Sequence, residues 1–496
     1  MNVNRWMAGL LALTLLIPGC RKPDPDATGG LDDATRAERK YVNTFAWNVM
    51  NTYYLWRDEI SEALEKWELW EEPIQKVADI RYKDVSGKDI DRWTMLTDDF
   101  SSFQGGVSGH TRTLGMDFVL YYADKAHTRI CAVVTFTYAG SPAAQAGLRR
   151  GDIILAVDGK EMTPDNYQQV VRDGIFGGGT VKLGLSDGKA VSVTAVDMYE
   201  NPIQEVRILE DEHGKKIGYL HYTSFTLDSC GELSDVFRDF VQEGIDDLVL
   251  DLRYNGGGYV ITEEVLASML APKKEVEAES VFSTQVYNST LAKELEEEPS
   301  RFATKFSFRN NGEVQTVTTT GANPDLPRLF VLVTGSSASA SESLVCCLKP
   351  YMDVILIGGQ TSGKYCAGFM MDAKGWYDDV KNSLEEGEYE KALPYVDNWG
   401  LYVMYARYAD CNGQTLSMPD GIAPDFEVDD DPLDGYALGD PRETMLSAAL
   451  SVIERSGGPA PSSPAPAAAA TRSGMAPLAA PEIPRRPGFG VLVGNR

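Results

Sequence analysis

The sequence predicts a multidomain α/β protein with a helical N-terminal domain, a β-rich middle domain and a layered α/β core. Three changes of texture carry that reading. Residues 34–104 repeat aromatic and aliphatic side chains at helical spacing, and residues 105–198 switch to short strands punctuated by glycine. Residues 205–455 then alternate apolar strands with amphipathic helices. A chain of 496 residues exceeds what one core buries, which fits such a division.

In the first domain Tyr41, Phe45, Val49, Tyr53 and Leu55 recur near helical spacing. Asp91-Arg92-Trp93-Thr94 then leads into a polar turn that ends the segment. In the middle domain, Pro142 suits the first turn of a short helix and Gly147 its left-handed end. A buried strand over 153–157 runs into a hairpin turn at Asp158-Gly159. In the core, the runs 217–222, 248–252, 329–333 and 354–357 read as buried strands. Leu233, Val236, Phe237, Phe240 and Val241 read as one helix and 265–270 as part of another. Residues 375–397, rich in Glu, Lys and Tyr, predict a surface excursion. The Pro/Ala/Ser-rich run 456–496 predicts a disordered tail.

The net charge of −27, from 46 basic and 73 acidic residues, argues against nucleic acid, which demands concentrated Lys and Arg. Arg5 precedes an apolar stretch over 7–17 that is too short to span a bilayer, so residues 1–20 read as a secretory leader. Ile17-Pro18-Gly19-Cys20 resembles the lipobox of bacterial lipoproteins. That resemblance implies a lipid on Cys20, a tether over 21–33 and anchorage to a membrane of the cell envelope. The other six cysteines show no metal-ligand spacing and the chain holds only four His, so no metal or cofactor is expected.

Three strand-end segments carry chemistry. After the strand at 329–333 comes Thr334-Gly335-Ser336-Ser337-Ala338-Ser339-Ala340-Ser341-Glu342, a junction into a helix. Such a junction exposes a Ser while helix N–H groups point at the same place, as an oxyanion requires; an ordinary helix cap reads the same way. Lys364 follows the next strand, where it serves as a base if buried or as a solvated charge if not. Asp251-Leu252-Arg253-Tyr254-Asn255-Gly256-Gly257-Gly258 follows a third strand. Its glycines permit close backbone approach, and the Lys-Ser/Thr ending of a phosphate-binding loop is missing.

Together these segments resemble the carboxy-terminal processing peptidases, also called tail-specific proteases, across roughly 35–455. The resemblance implies a crotonase-like core of ββα repeats and serine endopeptidase activity on the C-terminal tails of envelope polypeptides. Ser339 would be the nucleophile and Lys364, 25 residues later, the base. The oxyanion donors would be the N–H of Ala340 and of Gly256 or Gly257. Pro419-Asp420-Gly421 resembles the family's closing motif. The run 140–159 resembles PDZ domains, which makes Leu114-Gly115-Met116-Asp117-Phe118 the loop that holds a peptide carboxylate. One departure stands out. Many members carry a Gln four residues after the Lys, and here that position is Gly368, with Gln360 and Thr361 nearby in sequence. That gap is the basis of the alternative reading, a catalytically inactive peptide-binding lipoprotein. His221 is a further candidate base, since some relatives use His.

Overall fold

The computed structural model describes residues 30–295, 299–416 and 418–456, and the backbone of the strand Ala476–Pro477. The leader with Cys20, nearly all of the tether and the rest of the tail lie outside the described residues. Among the described residues no helix is long and apolar enough to cross a membrane.

A six-stranded sheet forms the frame of the core. Its order is Ile203–Glu210, Lys216–Tyr222, Asp247–Asp251, Arg328–Val333, Asp353–Gly358 and Phe426–Glu427; the first pair is antiparallel and the others parallel. Parallel strands are covered on both faces, so they read as unbroken apolar runs. The two-residue period sorts each run between two layers. Leu248, Leu250, Leu329, Val331 and Val333 join the helices Ser229–Glu243, Val260–Leu270 and Ala340–Leu348, whereas Val249, Phe330 and Leu332 join the helix Thr444–Ser456.

A second, antiparallel sheet is centred on Gly400–Asp410, which pairs with Met95–Thr97, Val281–Tyr287 and Cys366–Asp372. The N-terminal helix Asp33–Tyr53 is capped by Asp32, whose carboxylate accepts the Thr35 N–H. Its buried residues Val42, Phe45, Val49 and Met50 belong to the same apolar cluster as the core helices, so this segment shares the core's interior.

Residues 375–397 are not a surface excursion. Most of them belong to the helices Ala373–Val380 and Glu388–Val396, whose Trp376, Tyr377, Val380, Ala392 and Val396 are buried. Tyr377 and Tyr395 contact the Tyr41 ring and Trp376 contacts Phe45. The charged residues occupy the outer face of an amphipathic pair, and polar composition alone concealed the inner one.

The middle domain keeps its own apolar cluster, from Leu114 to Ala195. Its sheet runs Met116–Tyr122, Ile130–Thr137, Ile153–Val157, Thr180–Leu185 and Ala190–Thr194. Asp158 and Gly159 both have positive φ, 51° and 76°, as a tight hairpin turn requires. Part of the tail is ordered as a strand: Ala476 and Pro477 pair antiparallel with Tyr122 and Tyr121.

Candidate active site

Three loops leave the C-terminal ends of adjacent parallel strands, the edge where open α/β sheets build sites. They follow Asp247–Asp251, Arg328–Val333 and Asp353–Gly358 and are stitched together through small hydroxyl side chains. Ser337 Oγ donates to the Leu252 carbonyl at 2.8 Å and Ser341 Oγ to the Asn255 carbonyl at 2.9 Å. The Ala338 N–H also donates to the Asn255 carbonyl, and the Ser362 N–H to the Ser337 carbonyl. Ser337, Ala338 and Ser341 thus each bond a neighbouring loop.

Ser339 is the N-cap of the helix Ala340–Leu348, is fully buried and has φ 63° and ψ −114°. A positive φ strains any residue with a Cβ and persists only where the surroundings over-determine it. The Ser339 Oγ lies 3.5 Å from the Cys366 carbonyl. Gly257 closes the other side. At its φ of +106° a Cβ would stand 2.8 Å from Ser339 Cβ and 3.2 Å from the Ala340 nitrogen, so only glycine fits. Gly257, Ala340 and Ser339 therefore converge, with Gly256 buried in the same turn. The Gly257 N–H donates to Asn255 Oδ1 at 2.8 Å.

Glu342 joins the serine loop to the lysine loop. Its Oε2 accepts the main-chain N–H of both Ser339 (3.0 Å) and Lys364 (2.8 Å), while Oε1 accepts the Gly363 N–H (2.7 Å) and the Thr361 hydroxyl. Burial is the largest influence on this carboxyl and raises its pKa, with the four hydrogen bonds opposing. In the sequence Glu342 signals only a capping residue; its grip on the lysine loop is a tertiary fact.

Lys364 is 1% exposed, and its Nζ lies 3.1 Å from Tyr402 Oη. The Nζ atom is 5.2 Å and 5.8 Å from the Tyr402 and Trp93 ring centroids. Trp93 is set by Asp91, whose Oδ1 accepts the N–H groups of Trp93 and Thr94 while Tyr54 Oη donates to Oδ2. Arg92 donates to the Ser362 carbonyl at 2.8 Å. Residues 91–94 thus form a wall of the lysine pocket. The available signal was Asp91 two residues before a Trp, the pattern of an Asx turn. Of the two residues near Lys364 in sequence, Thr361 bonds Glu342 and Gln360 bonds the Asp420 carbonyl.

His221 is packed between the rings of Phe136 and Tyr254, and neither ring nitrogen has a protein hydrogen-bond partner. Burial lowers its pKa to about 4. Of the predicted loop 114–118, Leu114 and Gly115 precede the strand Met116–Tyr122 and the other three residues open it; Leu114, Met116 and Phe118 belong to the middle domain's own cluster, whereas Ala340 lies in the core cluster. Gly115 has φ +75°, its N–H donates to Thr113 Oγ1 and its carbonyl accepts Ser141 Oγ. Asp117 accepts the Thr135 hydroxyl at 3.0 Å. Among the described residues no group of three or more His, Cys, Asp or Glu is placed to hold a metal ion.

The middle domain reaches the glycine loop through Arg150. Its guanidinium donates to Asp430 Oδ1 and to Tyr254 Oη, both at 2.8 Å. Arg253, completely buried, bonds Asp251 at 3.0 Å, Glu443 at 2.6 and 2.9 Å, and Asp430 at 3.0 Å. Burial alone would raise the Asp430 pKa, but Arg150 and Arg253 override it and hold the carboxyl at about 2.

Comparison with known proteins agrees with this architecture. Residues 216–428 match the model of Peptidase family S41 and residues 133–174 that of the PDZ domain. A carboxyl-terminal-processing protease of Synechocystis sp. is 28% identical over 323 residues, covering 64% of this chain and 63% of that protein. A probable CtpA-like serine protease of Staphylococcus aureus strain COL is 27% identical over 263 residues, covering 53% of this chain and 46% of that protein. The chain thus spans less than two thirds of the length of either relative. Among solved structures, a putative S41 protease from Bacteroides fragilis NCTC 9343 shares the fold, with a TM-score of 0.61 at 22% identity. It covers 84% of this chain and 97% of that one. Residues 216–428 are thus similar to peptidase family S41 and residues 133–174 to PDZ domains, and the fold is that of an S41 protease.

Proposed function

We propose that this protein is a serine endopeptidase that uses a Ser339–Lys364 dyad on envelope polypeptides, with the PDZ segment 114–118 engaging their C-terminal segments. A lipid on Cys20 would hold it at the membrane. The observation that carries the catalytic part is a buried, backbone-strained Ser339 whose N–H shares one oxygen of Glu342 with the N–H of Lys364. Strain at a helix N-terminus of this kind recurs where a nucleophile must be presented to its substrate.

In this reading neutral Lys364 accepts the Ser339 Oγ proton as Oγ attacks the scissile carbonyl. Burial of an amine disfavours its charged form, the condition a lysine base needs near neutral pH. N–H donors of Ala340 and the glycine loop stabilise the oxyanion. Lys364 passes the proton to the leaving amine, and water then hydrolyses the acyl-enzyme. The test is a fluorophosphonate probe beside hydrolysis of an unfolded protein substrate. Wild type is expected to label at Ser339 and cleave; Ser339→Ala is expected to do neither, and Lys364→Ala to lose both by at least about 10³-fold. Wild-type turnover by Ser339→Ala sinks the reading. Separately, labelling with radioactive palmitate is expected in wild type and absent in Cys20→Ala.

A further inference from the structure

The geometry points to Tyr402 as the residue that positions Lys364, through its phenol oxygen, an inference that rests on the Ser339–Lys364 dyad proposed above.

Two independent facts meet at this tyrosine. The first is contact: Lys364 Nζ lies 3.1 Å from Tyr402 Oη, within hydrogen-bond distance, and both side chains are buried. The second is space. A Cβ at Gly368 would stand 2.3 Å from Met404 Cε and 2.6 Å from Tyr402 Cζ. Position 368 carries no side chain because the Tyr402 ring already fills the volume in which one would begin. Orientation of the lysine is therefore delivered from the neighbouring strand of the antiparallel sheet, not from the strand that follows the lysine.

The scaffold suits the task. Tyr402 sits in the eleven-residue strand Gly400–Asp410, opposite Met370 on one side and Met95 on the other. Its ring rests against Phe103 with centroids 5.3 Å apart. A phenol fixed on a paired strand has only two side-chain torsions to restrain, fewer than the flexible amide of a Gln. Its chemistry suits the task as well. Accepting one N–H of a neutral amine leaves the nitrogen lone pair for Ser339. Burial, with Cys366, Asp91 and Tyr405 adding to it, raises the tyrosine pKa well above its usual value. The phenol stays neutral and does not hold the lysine as ammonium, which an ionised carboxylate at that place would do.

The experiment measures the rate of fluorophosphonate labelling at Ser339, and kcat on unfolded protein substrate, across about pH 6 to 10. Tyr402→Phe keeps the ring and removes only the oxygen. It is expected to lower the labelling rate and kcat about tenfold with KM nearly unchanged, and the loss is expected to persist on the alkaline plateau. Gly368→Ala, which pushes the ring aside without altering the phenol, is expected to do the same. The double variant is expected to be no slower than the slower single one, since both act through one contact. A Tyr402→Phe rate equal to wild type while Lys364→Ala is unreactive leaves the dyad standing and overturns the tyrosine inference. A loss that vanishes at alkaline pH also overturns it, because that reports titration and not orientation. Wild-type labelling by Lys364→Ala overturns the dyad itself. If Tyr402→Phe melts early, Gly368→Ala decides alone: full labelling by it overturns the inference.

Discussion

Around Glu342 a single carboxylate gathers four uncharged donors from the serine and lysine loops. Around Arg253, two arginines and three carboxylates neutralise one another across the seam between core and PDZ domain. Both clusters are buried and both support loops that meet at Ser339, yet they do different work. Main-chain donors on one carboxylate fix the relative register of two neighbouring loops and depend on hardly anything distant. The ionic cluster joins Arg150 of one domain to Asp251, Asp430 and Glu443 of another, so its integrity reports how the domains sit together. Local hydrogen bonds set geometry here, and long-range charge pairs set domain placement.

The two clusters also answer pH with opposite sign. In the folded protein the two arginines hold the Asp430 carboxyl at about 2, below its ordinary value, so the stability it contributes is present above about pH 4 and lost as pH falls towards about 2. Glu342 titrates higher when folded, so its contribution is present at low pH and lost as pH rises through its folded pKa.

The largest expected effect breaks the ionic cluster. Arg253→Ala leaves three buried carboxylates short of a cation and is expected to cost about 3–5 kcal/mol, read from chemical denaturation. A variant as stable as wild type would erase the distinction drawn above. Glu342→Ala comes next: the two loops lose their common acceptor, and kcat is expected to fall about a hundredfold, with a smaller change in stability. If stability collapses while the residual activity per folded molecule is normal, Glu342 is structural only. Acidification from about pH 4 to 2 is expected to remove about 2 kcal/mol through Asp430. Amide exchange should rise at residues 149–152 before it rises at 339–342, and simultaneous opening would merge the clusters into one unit. Thr361→Val removes one of the four donors and is expected to cost about 1 kcal/mol, the smallest effect of the series.

Much of this was legible in the sequence because it was local. The buried strands announced themselves as apolar runs, the Asp158-Gly159 hairpin by its turn residues, and Ser339 by a small-residue junction between strand and helix. Where the reading failed, the missing information was the partner. The helices within 373–396 looked like a polar excursion because their aromatic face packs on Tyr41 and Phe45, some three hundred residues away in the chain. Residues 91–94 read only as the lead into a closing turn, although Trp93 walls the lysine pocket.

What the sequence determined by itself was the order of elements and the residue types at each strand end, since periodicity and turn chemistry act over a few residues. Which of those residues meet was decided by the tertiary structure alone. Gly368 could be seen as a departure, but nothing within ten residues of it shows that the Tyr402 ring fills its place. That contact exists only because Cys366–Asp372 pairs with Gly400–Asp410, and strand pairing is settled by burial of the whole sheet.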